Sequence, residues 1–246
     1  MSSAYNPNGA TGAGKQTARS VRFLMNLQEI ENALTGLRLA SASNDAEDFE
    51  DKEPMSDDIV RRMMSGYAYV NDLLRDDVDL FTYGNSHHWL ELNHLVLCGT
   101  TPERREQFRN HIELTEKRFY DDSKGGIGER IEWLQRHRTS TPEAVAAGIF
   151  LLITSSPQLY IEGNRRTATL IASYALVRQG LSPVVVTAKD YKEFFEVADT
   201  CKNIDRSRWD QTLTIRRETG RIEQFMRNSA DPAYLVQTAD ADSAGH

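Results

Sequence analysis

The segment Pro142–Thr154, PEAVAAGIFLLIT, is apolar on every side, and so is much of 166–179. A helix of that kind has no face to give to water, so it must run through the centre of a fold. Two such helices in succession, joined by the polar run 155–165, predict an all-α bundle built around the pair. The first is well signalled at its start. Ser140 or Thr141 can cap it, Pro142 suits its first turn, and Glu143 meets the positive end of its dipole. The second stops in the usual way, with Arg178, then Gly180, then Pro183.

Around this pair, apolar spacing of three to four residues marks further amphipathic helices. One carries Leu24, Leu27, Ile30, Leu34 and Leu37, and a second Ile59, Met63, Tyr67, Val70 and Leu74. A third carries Phe108, Ile112, Thr115 and Phe119. Residues 124–128 break the chain before a short helix with Ile131 and Leu134, and helices resume from about Ala188 and Asp205. Residues 184–186 can form one short strand, so a hairpin or a strand is the most β structure expected. No βαβ alternation and no repeat period is present, which excludes Rossmann folds and solenoids.

The polar material gathers at the ends and in one linker. Residues 1–19 and 229–246 have little to bury and read as a disordered arm and a disordered tail. Within 41–58 the stretch 44–58 is densely acidic and reads as a solvated linker, or as a partner-binding segment. It parts an N-terminal helix at 20–40 from a main domain at 59–228. A net charge of −7 leaves no general basic face for nucleic acid. The lack of an apolar run of roughly 18 residues, and of an apolar stretch near Met1, points to neither membrane nor export and hence to the cytoplasm. Cys98 and Cys201 lie far apart without CxxC spacing, and read as buried free thiols.

The chemistry lies between the two apolar helices, in SSPQLYIEGNRRT at 155–167. Gly163 allows backbone angles closed to other residues, and Asn164 is a good cap for a helix beginning near Arg166. The free N–H groups of that helix, with its dipole, make a ready anion site. Arg165 and Arg166 then sit at the positive end of a dipole, at a cost of about 0.3–1 kcal/mol each. A phosphate between them and the N–H groups would explain both, with Thr167 completing the turn. Glu162 would hold a magnesium ion over the same phosphates. The same residues are also compatible with a plain loop, in which Glu162 pairs with an arginine and Asn164 only caps.

The run QLYIEGNRRTAT at 158–169 resembles the motif of the Fic (Fido) family, His-Pro-Phe-x-Asp/Glu-Gly-Asn-Gly-Arg-x-x-Arg. Its flanks are similar too: AAGIFLLI before it, LIASYALVRQGLSPVVV after it, then a helix opening at Asp190 and Tyr191. The likeness spans roughly Phe108 to Cys201. It implies a Fic-like helical bundle that binds ATP or another nucleotide with Mg2+ and transfers a nucleotidyl group to a protein hydroxyl. Glu162 corresponds to the magnesium-holding acid, Gly163 and Asn164 to the phosphate-cradling turn, and Arg166 to the first motif arginine. Three positions depart. Gln158 stands where the family has its catalytic histidine, Arg165 replaces the second turn glycine, and Thr169 replaces the second arginine. An amide cannot act as a general base, and losing such a group costs about 10²–10⁴ in rate. Two readings follow: a divergent transferase, or a non-catalytic sensor that keeps the pocket. Either would bind a nucleotide or other phosphorylated small molecule. Many family members also carry an inhibitory helix with a glutamate, and LQEIEN at 27–32 approaches its pattern through Glu31. Core packing explains the same helix.

His87, Glu91 and His94 recur at i, i+4 and i+7, so one helix face can present all three. They form a metal site, a substitute base for the Gln158 position, or simply a helix whose histidines bond locally. The sequence offers no fourth ligand and no H-E-x-x-H.

Overall fold

The computed structural model describes residues 21–42 and 55–239. A strand β1 (Val21–Met25) leads into helix α1 (Leu27–Ala42). Helices α2 (Asp57–Arg75), α3 (His87–Cys98), α4 (Pro102–Gln107), α5 (Arg109–Phe119) and α6 (Ile127–Arg136) follow. The central helices are α7 (Pro142–Thr154) and α8 (Asn164–Val177), and α9 (Tyr191–Lys202), α10 (Thr212–Asn228) and strand β2 (Leu235–Ala239) follow. The fold is all-α, with one two-stranded sheet among the described residues. No described helix is long and apolar enough to cross a membrane.

The apolar pair is at the centre, as its composition requires. α7 and α8 pack along one another; α9 and α10 cover α7, α2 and α3 cover α8, and α1 lies on α2. Every residue from Ala146 to Thr154, and from Thr167 to Val177, is buried. The start of α7 is capped as expected, with Thr141 accepting from the Ala144 N–H at 3.3 Å. The α1 face carrying Ile30, Leu34 and Leu37 is buried, whereas Glu31 is exposed.

Four expectations need correction. The helix expected from Leu24 begins only at Leu27, because Val21–Met25 pairs antiparallel with β2, Phe23 opposite Gln237. The Asn71 side chain extends this ladder inward: it accepts from the Met25 N–H at 2.8 Å and donates to the Met25 carbonyl at 2.9 Å. The segment 229–246 is accordingly not a disordered tail up to Ala239. Tyr234 is buried and its carbonyl accepts from the Asn26 N–H at 2.9 Å, which ties the first and last described segments together. Residues 184–186 form no strand, because hydroxyl groups take the place of a partner strand. The Tyr67 hydroxyl donates to the Val184 carbonyl at 2.7 Å, and the Val184 N–H donates to Ser173 Oγ at 3.0 Å. The linker placed at 41–58 is shorter than expected, since Ala42 ends α1 and Asp57 and Asp58 open α2. Acid side chains there suit the helix dipole. Asp58 also pairs with Arg104 at 2.7 Å, a hydrogen bond that holds its carboxyl below the usual range. The expected arm at 1–19, and the acidic residues 43–54, lie outside the described residues.

Candidate functional site: a cavity at the head of α8

The turn between α7 and α8 is held from beneath by side chains that the sequence did not single out. Asn93 of α3 donates to the Glu162 carbonyl at 2.9 Å and to Thr167 Oγ1 at 3.0 Å. Gly163 has φ 75°, and a Cβ there would stand 2.9 Å from Asn93 Nδ2. Glycine is thus required twice, by its left-handed backbone and by the close approach of Asn93. Tyr160, fully buried, donates its hydroxyl to the Trp89 carbonyl at 3.0 Å and stacks on Phe119 at 5.8 Å. Three arginines grip carbonyls of the loop and of the last turn of α7. Arg118 bonds the Gln158 carbonyl at 2.5 Å; Arg130 bonds those of Leu152 and Pro157, both at 2.9 Å. Arg206 takes the Pro157 carbonyl as well, at 2.9 Å. Burial, chiefly, and then the neighbouring Arg206 charge pull the Arg130 guanidinium down to about 9. Those carbonyls and the Glu129 carboxylate at 2.8 Å keep it cationic at neutral pH.

Asn164 does not cap α8. The helix begins at Asn164 itself, and its N-cap is Gly163, which has no side chain to offer. Asn164 instead closes the loop back on itself: its Oδ1 accepts from the Tyr160 N–H and its Nδ2 donates to the Tyr160 carbonyl, both at 2.9 Å. A consequence is that no side chain caps the first turn of α8. That turn faces a cavity of about 520 Å³, within the range of small-molecule sites.

Gln158, Glu162, Gly163, Asn164, Arg165, Arg166 and Thr169 all line this cavity, so the fold brings together almost every residue singled out in the run 158–169. Thr167 is the exception; it points into the protein, towards Asn93. The Gln158 amide is engaged at both ends, donating to the Thr154 carbonyl at 3.0 Å and accepting from Asn164 at 3.4 Å. Glu162 is exposed at the rim, and its carboxylate pairs with no arginine among the described residues, contrary to the plain-loop alternative. The two arginines diverge. Arg165 pairs with Asp199 of α9 at 3.1 Å and lies over the Phe195 ring at 4.6 Å. Arg166 donates to the Val96 carbonyl at 3.0 Å, in the last turn of α3, where the dipole is negative. Their place beside the α8 dipole therefore has protein partners to account for it, and does not by itself demand a phosphate.

The rest of the cavity was missed in the sequence. Tyr191, Phe194, Phe195 and Lys202 reach it from α9, and Leu34, Leu37, Ile59, Met63 and Tyr67 from α1 and α2. All but the exposed Lys202 are ordinary apolar positions by type, and nothing in the chain order shows that α1 and α9 meet at the same opening. Burial raises the Tyr191 hydroxyl above its usual range, so it stays protonated at neutral pH and offers no base.

His87, Glu91 and His94 do not join the site. Glu91 is taken by Arg105 through two bonds, at 2.6 and 3.0 Å; His94 Nδ1 lies 3.9 Å from the Glu91 carboxylate, and the His87 ring lies tilted against that of His88, 4.0 Å between centroids. Among the described residues no group of three His, Cys, Asp or Glu side chains is placed to hold a metal, and no histidine lines the cavity. Both cysteines are buried and free. The chain matches no protein-family model and no curated relative.

Proposed function

We propose that this chain is a Fic-like protein that binds a phosphorylated small molecule, nucleotides among them, with a phosphate at the head of α8. The observation that carries this reading is the cavity opening on a helix N-terminus that no side chain caps, because such a terminus favours anions. Arg166 and Lys202 add positive charge nearby, and Glu162 offers one hard oxygen at the rim, which suits a magnesium ion that keeps most of its waters. We favour binding without transfer. Gln158 is uncharged and spends its amide on Thr154 and Asn164, so nothing at that position takes a proton from a hydroxyl. Group transfer to a protein hydroxyl is the second reading, and Glu162, a free carboxylate at the rim, is what favours it.

Thermal melting with inorganic pyrophosphate, ADP, ATP and UTP, each with magnesium, tests the proposal. A ligand that binds only the folded state raises the melting temperature through mass action. The shift should vanish in Arg166→Ala. That variant alone should melt within a few degrees of the natural protein, because it loses a bond to Val96 but also relieves an unfavourable charge on α8. No shift with any phosphate compound would overturn the reading. Labelling of protein by radioactive ATP would move the weight to transfer.

A further inference from the structure

The cavity has two unlike ends. At the open end stand Glu162, Arg165 and Arg166, exposed or half-buried. At the other, Leu37, Met63, Tyr67 and Val186 are all below one-tenth exposure. Helix α8 shows the change along one face. Arg165 is at the mouth, and Thr169, one turn further in, is uncharged and 3% exposed. The Thr169 hydroxyl is already given to the Arg165 carbonyl at 3.0 Å, and that of Tyr67 to the Val184 carbonyl at 2.7 Å. The buried end therefore holds no cation and no unspent donor among these residues. A second or third phosphate reaching into it would be desolvated without a partner, which is strongly unfavourable. A hydrocarbon chain would meet the surface it needs.

We propose that the ligand is a phosphate monoester of a hydrophobic alcohol, its anionic head at α8 and its chain along Leu37, Met63 and Val186, rather than a nucleoside polyphosphate. This inference rests on the reading that the head of α8 takes phosphate. Charge complementarity orients the molecule, since the cavity's cations among the described residues, Arg165, Arg166 and Lys202, are all exposed or half-buried.

Calorimetric titration of the full chain with butyl, hexyl and octyl phosphate, below their micelle concentrations, tests it alongside ATP, inorganic phosphate and octanol. Affinity should rise about three- to fourfold for each added methylene, and octyl phosphate should exceed both ATP and octanol. Met63→Gln should flatten the chain-length dependence while butyl phosphate still binds. If that variant fails to fold, the ligand series with the natural chain decides alone. ATP binding more tightly than octyl phosphate, or affinity independent of chain length, overturns this inference and leaves the phosphate reading standing. Octanol binding as well as octyl phosphate also overturns it. Failure of every phosphate compound, inorganic phosphate included, removes the reading on which it rests.

Discussion

At the scale of single residues, the same side-chain types act differently once neighbours are fixed. Asn164 is a helix cap by type, yet it braces the loop across four residues because Tyr160 presents both an N–H and a carbonyl to it. His94 is a metal ligand or a base by spacing, yet α3 buries it beside Glu91 and Arg105. Burial, the largest influence, lowers its imidazole below 6.5, although Glu91 and Glu116 pull the other way and Arg105 and His111 reinforce the burial. The folded protein then holds fewer protons than the unfolded chain just below that value, so stability must fall as pH falls through 6.5. His88 is shifted in the same direction, mainly by burial. Urea unfolding between pH 7 and 5 should show this loss, and His94→Gln should reduce its slope. An unchanged slope would mean that His94 titrates alike in both states.

At the scale of helices, glycines divide by what a methyl group would meet. A Cβ on Gly148 of α7 would lie 2.0 Å from the Trp133 ring of α6, whereas on Gly220 of α10 it meets nothing within 4 Å. Gly148→Ala should therefore cost about 1–3 kcal/mol, because the rigid ring has to move. Gly220→Ala should stabilise by about 0.5–1 kcal/mol, through helix propensity and a less free unfolded chain. Chemical denaturation reads both. A neutral Gly148→Ala would show that α6 and α7 pack less closely than described.

At the scale of the whole molecule, the first and last described elements close the fold. β1 and β2 pair across more than two hundred residues, and Tyr234, Asn26 and Ser182 fasten the same seam, the last donating to the Asp231 carbonyl at 2.8 Å. Deleting residues 229–246 should thus cost about 3–5 kcal/mol, from one buried tyrosine and several hydrogen bonds. Amide exchange at Phe23 and Leu24 should accelerate in the same variant. Full stability after the deletion would show that the seam contributes nothing.

The sequence by itself determined the all-α class, the central place of α7 and α8, and the turn that parts them. Those rest on local composition: a segment apolar on all sides has one place to go, and glycine at 163 serves a backbone angle few other residues adopt. It also marked Gln158, Glu162, Arg165 and Thr169, which do share one cavity. Only the tertiary structure decided what surrounds them. Asn93, Arg118, Arg130 and Arg206 converge on the turn from four other segments, and chain order holds no trace of that convergence. The apolar end of the cavity was hidden for the same reason. Leu37, Met63 and Val186 carry the signature of core residues, and a core side chain differs from a cavity wall only in whether another element arrives to cover it.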